Sequence, residues 1–92
     1  MIDYKECLSD RHLLPLDILR YRGKFPTVAK AIEYSIAQLI GEHVDCGHIN
    51  ADEPHNAQTL IKKDYYTDEK EFVRVAVRSY LKKEGLWIKK FD

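Results

Sequence analysis

Two stretches of the chain repeat apolar residues at spacings of three and four. In "TVAKAIEYSIAQLIGEH", residues 27–43, Val28, Ala31, Ile32, Ser35, Ile36, Leu39 and Ile40 fall on one face of a helix. In "EKEFVRVAVRSYLKKE", residues 69–84, Phe72, Val73, Ala76, Val77, Tyr80 and Leu81 make a matching stripe. Thr27 offers an oxygen to the open amides at the start of the first helix, and Pro26 keeps the entry extended. Asp68 or Thr67 does the same for the second, and Gly85 suits a left-handed exit. Two shorter helices are expected. One is "PLDILRYRG", opened by Pro15 and closed by Gly23; the other is "EPHNAQTLIKKD", capped by Asp52 with Pro54 in its first turn. "IDYKECLS" and "HVDCGHIN" are short and mixed, suited to edge strands or loops, and the tail "GLWIKKFD" brings Trp87, Ile88 and Phe91 to dock on the body. The expected fold class is mainly α, with two long and two short helices and room for a short two-stranded β-ribbon, in a single domain over residues 1–92.

Shifting the chain by 41 positions lays Ile32, Ile36 and Ile40 over Val73, Val77 and Leu81. The same shift lays Leu19 over Leu60, Phe25 over Tyr66, Thr27 over Asp68 and Leu8 over Ile49. Each half then reads as a short extended piece, a short helix, a turn with an aromatic, a cap and a long helix. This predicts two half-repeats, residues 1–43 and 44–85, related by a pseudo-two-fold axis, with a tail over 86–92.

At 92 residues the chain buries roughly 60–65% of its unfolded surface, enough for a core of its own as a monomer or homodimer. Fifteen basic residues cancel 15 acidic ones, so no overall field draws the chain to nucleic acid or an anionic membrane, and any such contact must come from a local patch. No segment has the roughly 20 apolar residues of a membrane span, and the charged start "MIDYKECLSD" has no apolar run of a leader; a cytoplasmic protein is expected. Cys7 and Cys46 are too few for a disulfide framework and read as free thiols.

The second half resembles a known family. "LIKKDYYTDEKEFVRVAVRSYLKKEG", Leu60 to Gly85, is similar to the two-helix part of ribbon-helix-helix DNA-binding proteins, with their "[ST]xxEF" helix opening followed by a pattern like "VRxAVRxYL". "LRYRGKFPTVAKAIEYSIAQLI" follows the same outline more loosely. The resemblance implies that one chain forms the unit the family builds as a dimer, with "YKECLS" and "CGHIN" paired antiparallel over residues 5–8 and 46–49. It implies a transcriptional regulator whose ribbon reads base edges, here through Lys5 and His48. The family also holds a phosphate at the N-terminus of each long helix; in the second half Asp68 and Glu69 stand there, and their carboxylates occupy the amides and repel an anion.

Arg74, Arg78 and Lys82 lie at i, i+4 and i+8 and form one basic stripe, fit for DNA phosphates or for an acidic protein surface. The second function class is accordingly a protein-binding inhibitor, adaptor or immunity-type module acting through that face. His43, Cys46, His48 and His55 crowd into thirteen positions and supply a set of zinc-type donors, though without the paired spacings of structural zinc sites. Cys46 beside His43 and His48 is also a thiol–imidazole arrangement, with no glycine-rich anion loop to accompany it, and His12 and Cys7 complete a site only if the fold brings them in. A non-enzymatic protein without a cofactor is expected.

Overall fold

The computed structural model describes residues 4–87, with the backbone alone for Tyr4 and Lys5. A 3₁₀ helix, Tyr4–Cys7, leads into α1 (Asp10–Tyr21), α2 (Val28–Asp45), α3 (Ala57–Lys62) and α4 (Glu69–Lys83). Helices α2 and α4 pack against each other at the centre. Helix α1 lies on both of them, while α3 packs on α4. No described helix is long and apolar enough to cross a membrane.

The apolar periods of the two long helices account for their packing. Ala31, Ile32, Ser35 and Leu39 of α2 are buried, as are Phe72, Val73, Ala76, Val77, Tyr80 and Leu81 of α4. Ser35 is accommodated there because its hydroxyl donates to the Ala31 carbonyl at 2.8 Å. Both helices start as the caps require: Thr27 accepts from the Lys30 amide at 3.1 Å, and Asp68 accepts from the Glu71 amide at 2.8 Å. The core falls into two adjoining clusters. The first gathers Leu8, Leu16, Leu19, Ile32, Val73, Val77 and Leu81; the second holds Leu39, Ile49, Leu60, Phe72 and Ala76. Ile36 of α2 packs against both.

The four α-helices among the described residues end in the same closure. At the end of α1 the Gly23 amide donates to the Arg20 carbonyl and the Lys24 amide to Leu19; at the end of α3, 41 residues on, Asp64 donates to Ile61 and Tyr65 to Leu60. Helices α2 and α4 close likewise, with Gly47 to Val44 and His48 to His43, and Gly85 to Lys82 and Leu86 to Leu81. The residue at the hinge of each closure is left-handed, and Asp64, at φ 65°, is the non-glycine among them.

Three expectations are corrected. The two-stranded ribbon is not formed, and no strand occurs among the described residues. Residues 4–7 coil as 3₁₀ helix, and residues 46–49 are the exit of α2, because Gly47 at φ 79° turns the chain back on the helix end. Leu8 and Ile49, expected in the paired ribbon, are buried instead, one in each cluster. Helix α1 begins at Asp10, with Pro15 inside it. The His12 and Leu13 amides both bond the Ser9 carbonyl at 3.0 Å, which starts the helix a turn and a half before the proline. Pro15 removes the amide that would bond the Arg11 carbonyl, a loss offset by full burial of Leu16 and near-full burial of Leu19. Helix α3 begins at Ala57 rather than near Asp52, since Asn56 takes the cap and accepts from the Thr59 amide at 3.1 Å. Ile88 and Phe91 of the tail lie outside the described residues.

Candidate functional site

The basic stripe of α4 does not stand alone. Arg74 and Arg78 share a hollow of about 500 Å³ with Arg11 and His12 of α1, Val75 and Trp87. The Arg11 guanidinium carbon lies 4.8 Å from the centre of the Trp87 ring, and that of Arg78 lies 6.0 Å from it. Both are cation–π distances. The His12 ring meets the same indole at 5.0 Å, tilted by 54°. Arg74 is anchored to the N-terminal 3₁₀ helix, its Nε donating to the Cys7 carbonyl at 3.2 Å. No carboxylate lines this hollow among the described residues.

The electrostatic result is visible at His12. It is buried, its Nδ1 stands 3.1 Å from Ser9 Oγ, and its pKa is held below the ordinary value of 6.5. Burial is the main cause, followed by the charges of Arg11, Arg74 and Arg78. The imidazole is thus neutral at pH 7, and the positive charge of the hollow resides on the guanidinium groups.

A second hollow, also of about 500 Å³, adjoins the first and shares Arg11 and Trp87 as its wall. Its floor is apolar: Leu14, Pro15 and Ile18 of α1, with Gly85 and Leu86 after α4. Asp10 lines its edge. Leu14 and Ile18 are 63% and 44% exposed, and Tyr21, one turn further along, is 86% exposed. Helix α1 therefore carries apolar residues on two faces, Leu16 and Leu19 towards the core and Leu14, Ile18 and Tyr21 away from it.

The histidine-rich segment lies elsewhere. His43, at the end of α2, is a junction: its Nε2 is 2.7 Å from the Tyr66 hydroxyl, and its Nδ1 is 2.8 Å from His48 Nδ1. His48 stacks on Tyr65 at 4.5 Å. Only one proton fits between the two Nδ1 atoms, so a doubly charged pair cannot keep this contact. The pKa of His43 is accordingly lowered, by burial first and by His48 second, against Glu42, which raises it. This cluster ties the end of α2 to the α3–α4 turn. Cys46 and His55 are exposed, and no group of three metal-type side chains converges among the described residues.

Of the residues singled out on the stripe, Arg74 and Arg78 come together with a tryptophan, and Lys82 lies exposed a turn further along α4, outside the hollow. Lys5 lies in the 3₁₀ helix by its backbone, and its side chain is outside the described residues. His48 belongs to the histidine–tyrosine cluster and does not join the arginines. The sequence pattern missed Arg11, His12 and Trp87; the signal available for them was the chain's single tryptophan a few residues beyond a basic stripe. No family model, curated protein or solved structure matches this chain.

Proposed function

We propose that this is a non-enzymatic binding module that recognises an acidic protein surface through the arginine–tryptophan face. The observation that carries the reading is the convergence of arginines from two helices, Arg11 of α1 and Arg78 of α4, on Trp87. An indole face beside a guanidinium attracts its charge, and the fork of N–H groups remains able to meet a carboxylate in bidentate fashion. Arg78 is exposed, so such a carboxylate can approach from solvent.

A duplex is the poorer fit to this face. Its arginines are grouped beside an apolar floor rather than spread along a groove-following surface, and net charge is zero. At the start of α4 the amides are met by Asp68, with Glu69 and Glu71 in the same first turn, so a phosphate is repelled there.

Trp87 makes the test direct, being the chain's one tryptophan. Its emission is followed while polyglutamate, or duplex DNA of random sequence, is titrated in at low salt. Polyglutamate is expected to shift the emission, to lose the effect as salt rises, and to bind an Arg78→Ala variant more weakly. A response to the duplex with none to polyglutamate refutes the proposal and restores the nucleic-acid reading.

A further inference from the structure

We infer that His43 and His48 form a proton-operated clasp between the end of α2 and the turn before α4, closed near neutral pH and opened when both rings carry a charge. The clasp stands apart from the arginine–tryptophan face and does not rest on the proposed function.

The contact itself sets the rule. His43 Nδ1 and His48 Nδ1 stand 2.8 Å apart, within hydrogen-bond distance. Such a contact needs a hydrogen on one nitrogen and a lone pair on the other. Two neutral rings satisfy it, and so does a pair with a single positive charge. When both rings are charged, N–H faces N–H and like charge faces like charge, so the contact is lost. The Tyr66 hydroxyl, 2.7 Å from His43 Nε2, suits every protonation state of that ring. It donates when the nitrogen is bare and accepts when the nitrogen carries a hydrogen. His43 therefore keeps a partner after the break, and His48 is the ring that moves. Its stack on Tyr65, with ring centres 4.5 Å apart and planes 22° from parallel, goes with it.

The charged groups around the pair leave the second charge poorly compensated. Glu42 precedes His43 on α2 but is ion-paired with Lys83 of α4. Lys63, past the end of α3, donates to the His48 carbonyl at 2.9 Å and is ion-paired with Glu53 of the α2–α3 connection. Glu71 of α4 acts on Tyr66 and accepts from the Thr67 amide and hydroxyl. At His43, burial and the neighbouring ring outweigh Glu42 and hold the pKa below 6.5. A metal ion is the other ligand that paired imidazoles attract, and no third donor converges on them among the described residues. The proton is the ligand this contact discriminates.

The opening is confined to the side chain. Ile49 is buried in the second core cluster, and the His48 amide bonds the His43 carbonyl at 2.9 Å, so the backbone of the connection stays in place. The closed clasp holds one proton fewer than the open one at low pH. Each pH unit below the second uptake therefore raises the open-to-closed ratio about tenfold.

The test is a nuclear magnetic resonance titration of the isotope-labelled full chain from pH 7.5 to 5.0. Ring nitrogen shifts report protonation, and the His48–Tyr65 ring-to-ring Overhauser contact reports closure. The contact is expected at pH 7.5 and lost by pH 5.0, with the dispersed amide signals of α1, α2 and α4 still present. In His43→Gln the contact is expected to persist at pH 5.0, because a carboxamide can turn its oxygen towards a charged His48 ring. Both rings fully protonated with the contact intact would overturn the inference, and the parent chain alone can give that result. Loss of the contact only together with the dispersed amide signals would overturn it too, assigning the change to unfolding of the whole chain. So would an equal loss in His43→Gln.

Discussion

The matched helix exits allow one experiment to isolate a backbone effect. Gly23 and Asp64 occupy the same place in the turns after α1 and α3, both left-handed, at φ 83° and φ 65°. A methyl group added at Gly23 would meet nothing within 4 Å, so Gly23→Ala probes conformation without a clash. Two terms oppose each other. Holding an alanine left-handed costs about 1–2 kcal/mol. Replacing glycine also stiffens the unfolded chain, which returns about 0.4–1 kcal/mol. The strain wins, and the net expectation is a loss of about 1 kcal/mol. For a domain of this size that is a fall in Tm of roughly 4–8 °C, measured by thermal circular dichroism. Asp64→Gly runs the exchange in reverse but from a milder start, because aspartate tolerates the left-handed region better than most residues. Relief of its strain and the added freedom of glycine nearly cancel, so its Tm is expected within about 3 °C of the parent. Gly23→Ala as stable as the parent would refute the claim that this exit demands a left-handed residue. So would Asp64→Gly losing as much stability as Gly23→Ala.

Other outcomes follow from the same structure. His12 and His43 both have pKa values below the ordinary 6.5, so the unfolded chain binds protons that the folded chain does not. Their contribution is complete above pH 6.5 and declines as pH falls below it; urea midpoints at pH 7.0, 6.0 and 5.5 should fall in that order, and flat midpoints would contradict the burial of these rings. The buried Tyr80 hydroxyl meets no partner at good hydrogen-bond geometry but lies beside the Lys24–Glu84 ion pair, so Tyr80→Phe should change stability by no more than about 1 kcal/mol in chemical denaturation. Thr27→Ala and Asp68→Ala each remove a helix cap and should each lower stability by about 1 kcal/mol, with nearly additive effects in the double variant.

The two long helices were legible because their apolar residues serve one purpose, packing on each other, so the period survives in the sequence. The shorter ones were less so. Pro15 looks like a helix start, yet Ser9 starts α1 earlier, and the tertiary burial of Leu16 and Leu19 carries the chain through the proline. Gly47 was in view, but as part of an extended piece; a glycine after a long amphipathic run is the stronger sign of a helix exit, and that reading removes the ribbon. At the candidate site Arg74 and Arg78 could be read from one helix. Arg11 and Trp87 could not, because α1 and the segment after α4 meet them only once folded. The outer stripe of α1 was hidden for a related reason: apolar residues on two faces blur the period that would announce either.

Ile36 gives the divided core a further property. It is the side chain of α2 that packs on both clusters, and the first cluster draws on α1 while the second draws on α3. Cooperative melting of so small a chain depends on each half sensing the loss of the other, and Ile36 shares that coupling with α4, whose Val73 and Val77 enter the first cluster and Phe72 and Ala76 the second. Trimmed to alanine at Ile36, the chain would lose contacts in both clusters at once, so amide protection should fall in α1 and α3 together rather than in one alone.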